Sequence, residues 1–313
     1  MPDFVIQTEN LTRDFSTVRA VNEVSLAVPP GIVFGFLGPN GAGKTTMIRL
    51  LLGLLEPTGG RAAVLGFDTR AQAAEIRRRT GALLEHPGLY ERLSAEDNLE
   101  FYGRIWRLPA AERRARIKEI LSHMGLWERR KETAGKWSRG MKQKLAVARV
   151  LLHRPSLIFL DEPTAGLDPV AAAALRDDLA ALTAREGVTV FLTTHNLAEA
   201  EKLCALVGVI SHGKLLVSGN PDELRARSGG PRAEVTGRGF SNEVIKQLQA
   251  RPEVRAAGLQ NGRLYLDLRR DASMAPLVKL LVNAGVEVEE VHRGKASLEE
   301  VFLTLMEEDN END

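Results

Sequence analysis

The chain has 313 residues, 44% of them hydrophobic, so it exceeds one average domain and can bury a sizeable core. Its 42 Lys and Arg nearly balance 41 Asp and Glu, and a net charge of +1 offers no global attraction to nucleic acid or anionic lipid. A single cysteine, Cys204, on an expected amphipathic helix, excludes a disulfide or a thiolate zinc site within the chain and suits a reducing compartment.

Residues 1–4 lack the basic region and apolar core of a signal peptide, and no window approaches ~18 uninterrupted apolar residues, so nothing is expected to span a bilayer. Residues 4–11 and 24–28 read as an N-terminal antiparallel piece. An apolar run at 32–37 then meets Gly38-Pro39-Asn40-Gly41-Ala42-Gly43-Lys44-Thr45, followed by Thr46 and a helix-like stretch to residue 55. Strand, G-x-x-x-x-G-K-[ST], helix is the phosphate-binding loop pattern. Its glycines let successive N–H groups curl around phosphate oxygens at the positive end of a helix. Lys44 would reach the β- and γ-phosphates, and the Thr45 hydroxyl would ligate Mg²⁺.

A strand near 62–65 follows, then a short strand ending in Gly81-Ala82-Leu83-Leu84-Glu85. Helices fill residues 94–153: Ser94-Ala95-Glu96-Asp97 reads as a helix start with an acidic third residue, Pro109-Ala110 opens a second helix, and Gly125 ends it. Residues 99–106 carry Phe101, Tyr102 and Trp106 at near-helical spacing, which fits either core packing or a groove for a partner's helix. The arginine clusters at 77–79, 113–116 and 129–131 read as solvated helix faces.

Residues 157–160 form an apolar strand that delivers Asp161 and Glu162 to the carboxyl edge of a parallel sheet, where such sheets bind ligands. Asp161 would hold the metal's hydration shell and Glu162 would orient and deprotonate water. The chain lacks the Asn-Lys-x-Asp element of guanine-specific enzymes. Asp168-Pro169 caps the next helix, and a strand at 188–192 leads through Thr193-Thr194 to His195. A strand at 206–211 turns at His212-Gly213 into 214–218.

Ser228-Gly229-Gly230-Pro231 marks a composition shift. Beyond it come strand 233–236, helix 242–250, strand 254–259, an Asn261-Gly262 hairpin turn, strand 263–268, helix 275–284, strand 286–291, a helix at 298–306 and an acidic tail. That order is the split βαβ, ferredoxin-like arrangement.

Between the two halves of the nucleotide site lies Trp137-Ser138-Arg139-Gly140-Met141-Lys142-Gln143-Lys144, opening an apolar-periodic helix. Here the chain resembles the ATP-binding subunits of ABC transporters, whose signature Leu-Ser-Gly-Gly-Gln aligns with 137–141: Ser138 and Gly140 match, whereas Trp137, Arg139 and Met141 depart. The form Ser-Arg-Gly-Met-Lys-Gln-Lys is similar to the exporter subgroup that includes drug- and antibiotic-resistance pumps. The resemblance implies that Ser138 and Gly140 approach a γ-phosphate, that Thr164-Ala165-Gly166-Leu167-Asp168 is the D-loop that communicates across a dimer, and that His195 is the switch histidine. It implies that Phe15 stacks on adenine, and that Glu85 stands where the family has its Q-loop glutamine beside the metal and the attacking water. The C-terminal segment 297–302 likewise resembles the end of that subgroup's accessory domain, with a regulatory or dimer-supporting role.

The expected fold is thus α/β: a P-loop NTPase (RecA-like) core with an N-terminal antiparallel β piece and an inserted helical subdomain at about 86–153, all within residues 1–228, plus a small α+β, ferredoxin-like domain at 231–313. ATP and Mg²⁺ are the implied ligands. The phosphate loop and the acidic pair grip one face of ATP, so a head-to-tail homodimer in which each signature completes the other's site follows, as does an integral membrane permease supplied separately. Nucleic acid is not an expected partner. Location would be cytoplasmic, at the inner face of the membrane through the permease alone. The alternative is a non-transport ABC ATPase that signals through a membrane partner. Soluble ABC ATPases of repair or translation would show duplicated motifs, zinc cysteines or a coiled-coil insertion, and none is present.

Overall fold

Alternation of apolar and polar residues shapes the first elements, β1 (Ile6–Phe15) and β2 (Val18–Val28), which pair antiparallel with Ile6 opposite Val28 and turn Val21, Val24, Leu26 and Val28 inward. These coordinates are a computed structural model, which describes residues 3–227, 232–260, 262–269, 272–294 and 297–312. In β3 (Val33–Leu37) alternation gives way to burial of every residue, as a central parallel strand requires. α1 (Lys44–Leu51), β4 (Gly59–Val64), β5 (Phe67–Asp68), α2 (Ala73–Arg79) and β6 (Thr80–Leu83) follow. The helical insert contains α3 (Ala95–Ile105), α4 (Ala110–His123) and α5 (Arg139–Leu151). The core resumes with β7 (Leu157–Asp161), α6 (Pro169–Glu186), β8 (Thr189–Thr194), α7 (Leu197–Leu203), β9 (Leu206–Ser211) and β10 (Lys214–Gly219).

Two sheets result, one of order β2-β1-β4-β5 and one of order β10-β9-β3-β8-β7-β6. The second is parallel except for β10. Because β3 lies between β8 and β9, with β7 next to β8, the carboxyl ends of β3, β7 and β8 converge on one edge. Among the described residues, no helix is long and apolar enough to cross a membrane.

The chain divides into two compact units, Met1–Gly219 and Asn220–Asp313. The second begins with α8 (Pro221–Arg227), which the sequence reading assigns to the first domain. It continues as β11 (Arg232–Arg238), α9 (Asn242–Gln249), β12 (Val254–Gln260), β13 (Arg263–Leu268), α10 (Ala275–Asn283), β14 (Glu287–Gly294) and α11 (Leu298–Asn312). Its antiparallel sheet has the order β12-β13-β11-β14, the one a split βαβ unit generates, over a core that includes Val235, Leu248, Leu266 and Leu277. Residues 228–231, Asn261 of the expected hairpin turn and Asp313 of the tail lie outside the described residues.

Two readings of single residues are corrected. Cys204 follows α7 rather than riding on it, and its burial pushes the thiol up to about 12. Arg116 is not on a solvated face: it is 1% exposed, and its guanidinium donates to both oxygens of Glu186 at 3.0 and 2.9 Å, to Glu119 at 3.1 Å and to the Leu151 carbonyl at 3.0 Å. The cause is tertiary, because α4 packs where α5 and α6 end.

Burial alone would raise the Glu186 carboxyl, but hydrogen bonds from Arg116 and Arg185 override it and hold the group at about 2. Burial lowers His153 to about 4, its ring stacked on Trp106 at 3.8 Å between centroids. Both values are depressed, so both groups stabilise the fold fully above their unfolded values and cease to do so as pH falls through the folded ones. Stability is therefore expected to decline with acid in two windows, from ~6.5 towards 4 for His153 and from ~4.5 towards 2 for Glu186. Melting temperature against pH checks this, and Glu186→Gln should cost on the order of 3 kcal/mol at neutral pH by leaving Arg116 buried with a partner lost.

Candidate functional site

Glycine is required in the loop after β3 for two separate reasons. Gly41 and Gly43 have φ of +84° and +105°, and a Cβ at Gly38 or Gly43 would strike the carbonyl of Ile210 or Ala20. The chain can thus enter α1 with its first N–H groups open to an anion. Lys44 at the start of α1 is 6% exposed, and its Nζ donates to the carbonyls of Gly38 at 2.7 Å and Pro39 at 3.1 Å. The same Nζ lies 3.1 Å from Glu162 Oε1.

Asp161 ends β7 at 8% exposure. Its Oδ2 accepts from Thr45 Oγ1 at 2.7 Å and its Oδ1 from Thr193 Oγ1 at 2.5 Å. Glu162 adopts φ +49°, its N–H donating to the Thr193 carbonyl at 3.1 Å and the Thr193 hydroxyl at 3.0 Å. That left-handed kink turns its carboxylate back over the loop, where Oε2 lies 2.9 Å from His195 Nδ1. Lys44, Glu162 and His195 therefore form one contiguous polar chain.

A cavity of about 600 Å³ brings together Asn40, Gly41, Gly43, Lys44, Thr45 and Thr46 with Asp161, Glu162 and Glu85. Glu85 projects 3.7 Å from Arg49, its side chain 63% exposed. Phe15, 38% exposed with the Arg13 guanidinium 4.6 Å from its ring centroid, stands apart from the lining, as do Ser138, Gly140, Asp168 and His195. Ser138 caps α5 by accepting from the Met141 N–H at 3.3 Å, and Asp168 caps α6 through Val170 and Ala171 at 3.1 and 3.0 Å. Ala42 donates its N–H to the Pro39 carbonyl at 3.3 Å and closes the loop's first turn.

Sequence reasoning missed Thr193, which holds both acidic residues. The available signal was a pair of hydroxyls ending an otherwise apolar strand. It missed Gln143 as well, whose Nε2 donates to the Pro163 carbonyl at 2.7 Å.

Comparison with known proteins agrees with this geometry. A family model described as ABC transporter matches residues 21–165, and one described as ATP-binding protein DrrA1-3-like, C-terminal domain, matches 219–306. The chain is 36% identical to the daunorubicin resistance ATP-binding protein DrrA3 of Streptomyces coeruleorubidus over 99% of this chain and 98% of that one. It is 36% identical to the bacitracin transport ATP-binding protein BcrA of Bacillus licheniformis, over 96% and 97%. A solved ATP-binding subunit of an ABC transporter superposes with a TM-score of 0.64 at 30% identity, covering 71% of this chain and 92% of that one. The CbiO1 subunit of Clostridium perfringens gives 0.67 at 27%, covering 80% and 96%. The chain belongs to the ABC transporter ATP-binding proteins and is an ATP hydrolase of that family.

Lys44→Ala should abolish ATP binding by removing the loop's buried cation, as read by isothermal titration. Glu162→Gln should bind ATP and lose hydrolysis by on the order of a hundredfold or more, because an amide keeps the shape of the side chain beside Lys44 but cannot accept a proton.

Proposed function

We propose that this chain powers export of a drug- or antibiotic-like compound through a separate membrane permease, as a homodimer that closes on ATP and opens on its hydrolysis. The observation carrying this reading is the one-sidedness of the site. Lys44, Thr45, Asp161 and Glu162 share a cavity from whose lining Ser138 and Gly140 are absent, although they begin a helix whose positive end suits an anion. A second copy, facing head to tail, supplies them to the other side of the γ-phosphate.

Within each site Lys44 binds the β- and γ-phosphates. Phe15 stacks on adenine by the ring face away from Arg13. Glu162 accepts a proton from the attacking water while His195 holds the carboxylate's second oxygen and senses the γ-phosphate. A hydroxyl and a buried carboxylate already in contact form the hard oxygen set that Mg²⁺ prefers, so Thr45 and Asp161 would hold it, with Glu85 beside them. Mg²⁺ bound there would neutralise charge on the β- and γ-oxygens.

The permease reading is supported by the relatives' roles in resistance and transport and by an exposed apolar patch on the helical insert. Tyr90, Phe101 and Ile105 are 47%, 39% and 57% exposed, and Tyr90 meets Phe101 edge-on at 4.8 Å. Trp106 is excluded from that patch, being stacked on His153. A permease segment seated on the insert beside Glu85 would be moved when the dimer closes, from the cytoplasmic face of the membrane.

Sedimentation of Glu162→Gln with Mg-ATP is expected to give a dimer that wild type loses on hydrolysis. A chain that stays monomeric, alone and with its permease, overturns the reading. Titrating ATPase activity against Mg²⁺ is expected to separate Glu85→Gln from wild type, and identical curves remove Glu85 from the metal's surroundings.

A further inference from the structure

Arg139 stands where the signature has a small glycine, and its side chain packs against the D-loop of its own chain. It opens α5, lines the nucleotide cavity and meets Gly166: Nη1, Cζ and Nη2 are the atoms that a Cβ on Gly166 would strike. Gly166 has φ +68°, so both its backbone and its neighbour demand glycine. One turn further along α5, Gln143 donates to the Pro163 carbonyl at 2.7 Å. Positions i and i+4 share a helix face, so α5 grips residues 163–166 from one side at two points. The helix end is itself tightly seated, because a Cβ on Gly140 would come within 2.8 Å of the Ala171 side chain on α6.

The gripped segment leads straight to the acidic residue that handles water. The Ala165 N–H donates to the Glu162 carbonyl at 3.0 Å and the Leu167 N–H to the Thr164 carbonyl at 3.1 Å, before Asp168 caps α6. Glu162 holds a left-handed conformation, φ +49°, which persists only where surroundings enforce it. Thr193 enforces it from the strand side. From the other side α5 reaches Pro163 and Gly166 through Gln143 and Arg139, while the Thr164 hydroxyl between them donates to Glu199 of α7 at 2.6 Å.

We propose that Arg139 and Gln143 are positioning residues for hydrolysis: from the signature helix they hold the turn after Glu162 within the same chain, and through it they fix where the Glu162 carboxylate points. The proposal rests on ATP hydrolysis by this chain and is independent of whether two copies share their sites.

Arg139→Ala and Gln143→Ala in the full chain are each expected to lower kcat on the order of tenfold while KM for ATP moves less than about twofold, since the phosphate contacts remain. Arg139→Lys keeps the charge without the planar fork and should fall between. Gly166→Ala should lower kcat by displacing the guanidinium, and adding Arg139→Ala should recover part of that loss because the overlap is relieved. Unchanged kcat in both alanine variants, loss confined to KM, or strict additivity of the Gly166 and Arg139 changes overturns the proposal. If an alanine variant melts early, Arg139→Lys and the Gly166 pair decide.

Action within one chain is separated from action on a twin by mixing. A chain carrying both Lys44→Ala and Arg139→Ala, paired with wild type, should support the same wild-type turnover as Lys44→Ala alone. Loss specific to the doubly altered chain would assign Arg139 to the twin's site and defeat the proposal.

Discussion

Asp161 reaches the carboxyl end of β7 at 8% exposure, and each of its oxygens is taken by a hydroxyl from a different element, Thr45 on α1 and Thr193 on β8. A buried carboxylate left without such donors would cost several kcal/mol, so the two threonines are a condition of its burial. In return the carboxylate ties the helix after β3 to the ends of β7 and β8, so that Lys44, Thr45, Glu162 and His195 lie on one edge of the sheet. The same contact sets a hydroxyl and a carboxylate side by side as hard oxygen donors, so one interaction fixes the sheet's edge and prepares its ligand site.

Features with a local cause were legible in the sequence. Buried strands read as apolar runs, the loop at 38–45 reads as glycines at positions where φ or a carbonyl forbids a side chain, and the C-terminal unit's alternation of strands and helices leads to its sheet order by connection rules alone. What escaped depends on partners distant in sequence. Arg116 sits in a run that reads as a charged face, and only Glu186 explains its burial. Thr193 is an ordinary strand residue until Asp161 is laid beside it. Arg139 reads as a defect in a signature, since nothing in the sequence states that Gly166 lies against it.

Polar side-chain contacts join the helical insert to the core at both ends of α5. At the far end Arg116 of α4 binds Glu186 of α6, and within the insert Arg113 and Glu100 link α4 to α3 at 2.6 and 2.7 Å. A pair with a buried guanidinium, such as Arg116 and Glu186, adds little net stability over apolar packing but penalises wrong arrangements heavily, because the misplaced charge is left uncompensated. The Arg116 contacts thereby choose one seating for the insert, and α5, running from the signature to the core, carries that choice to the loop after Glu162.

Lys44 meets three oxygens in this arrangement, the Gly38 and Pro39 carbonyls and Glu162 Oε1. Phosphate entering the loop competes for the same ammonium group with a stronger, doubly charge-assisted contact. The carbonyls remain part of the cradle, so Glu162 is the ligand most readily exchanged, and its carboxylate is then free of its cation while His195 still holds the second oxygen. Occupation of the loop and the surroundings of Glu162 are thereby linked through one lysine, whose ammonium is shared between the carbonyls after β3 and the carboxylate after β7.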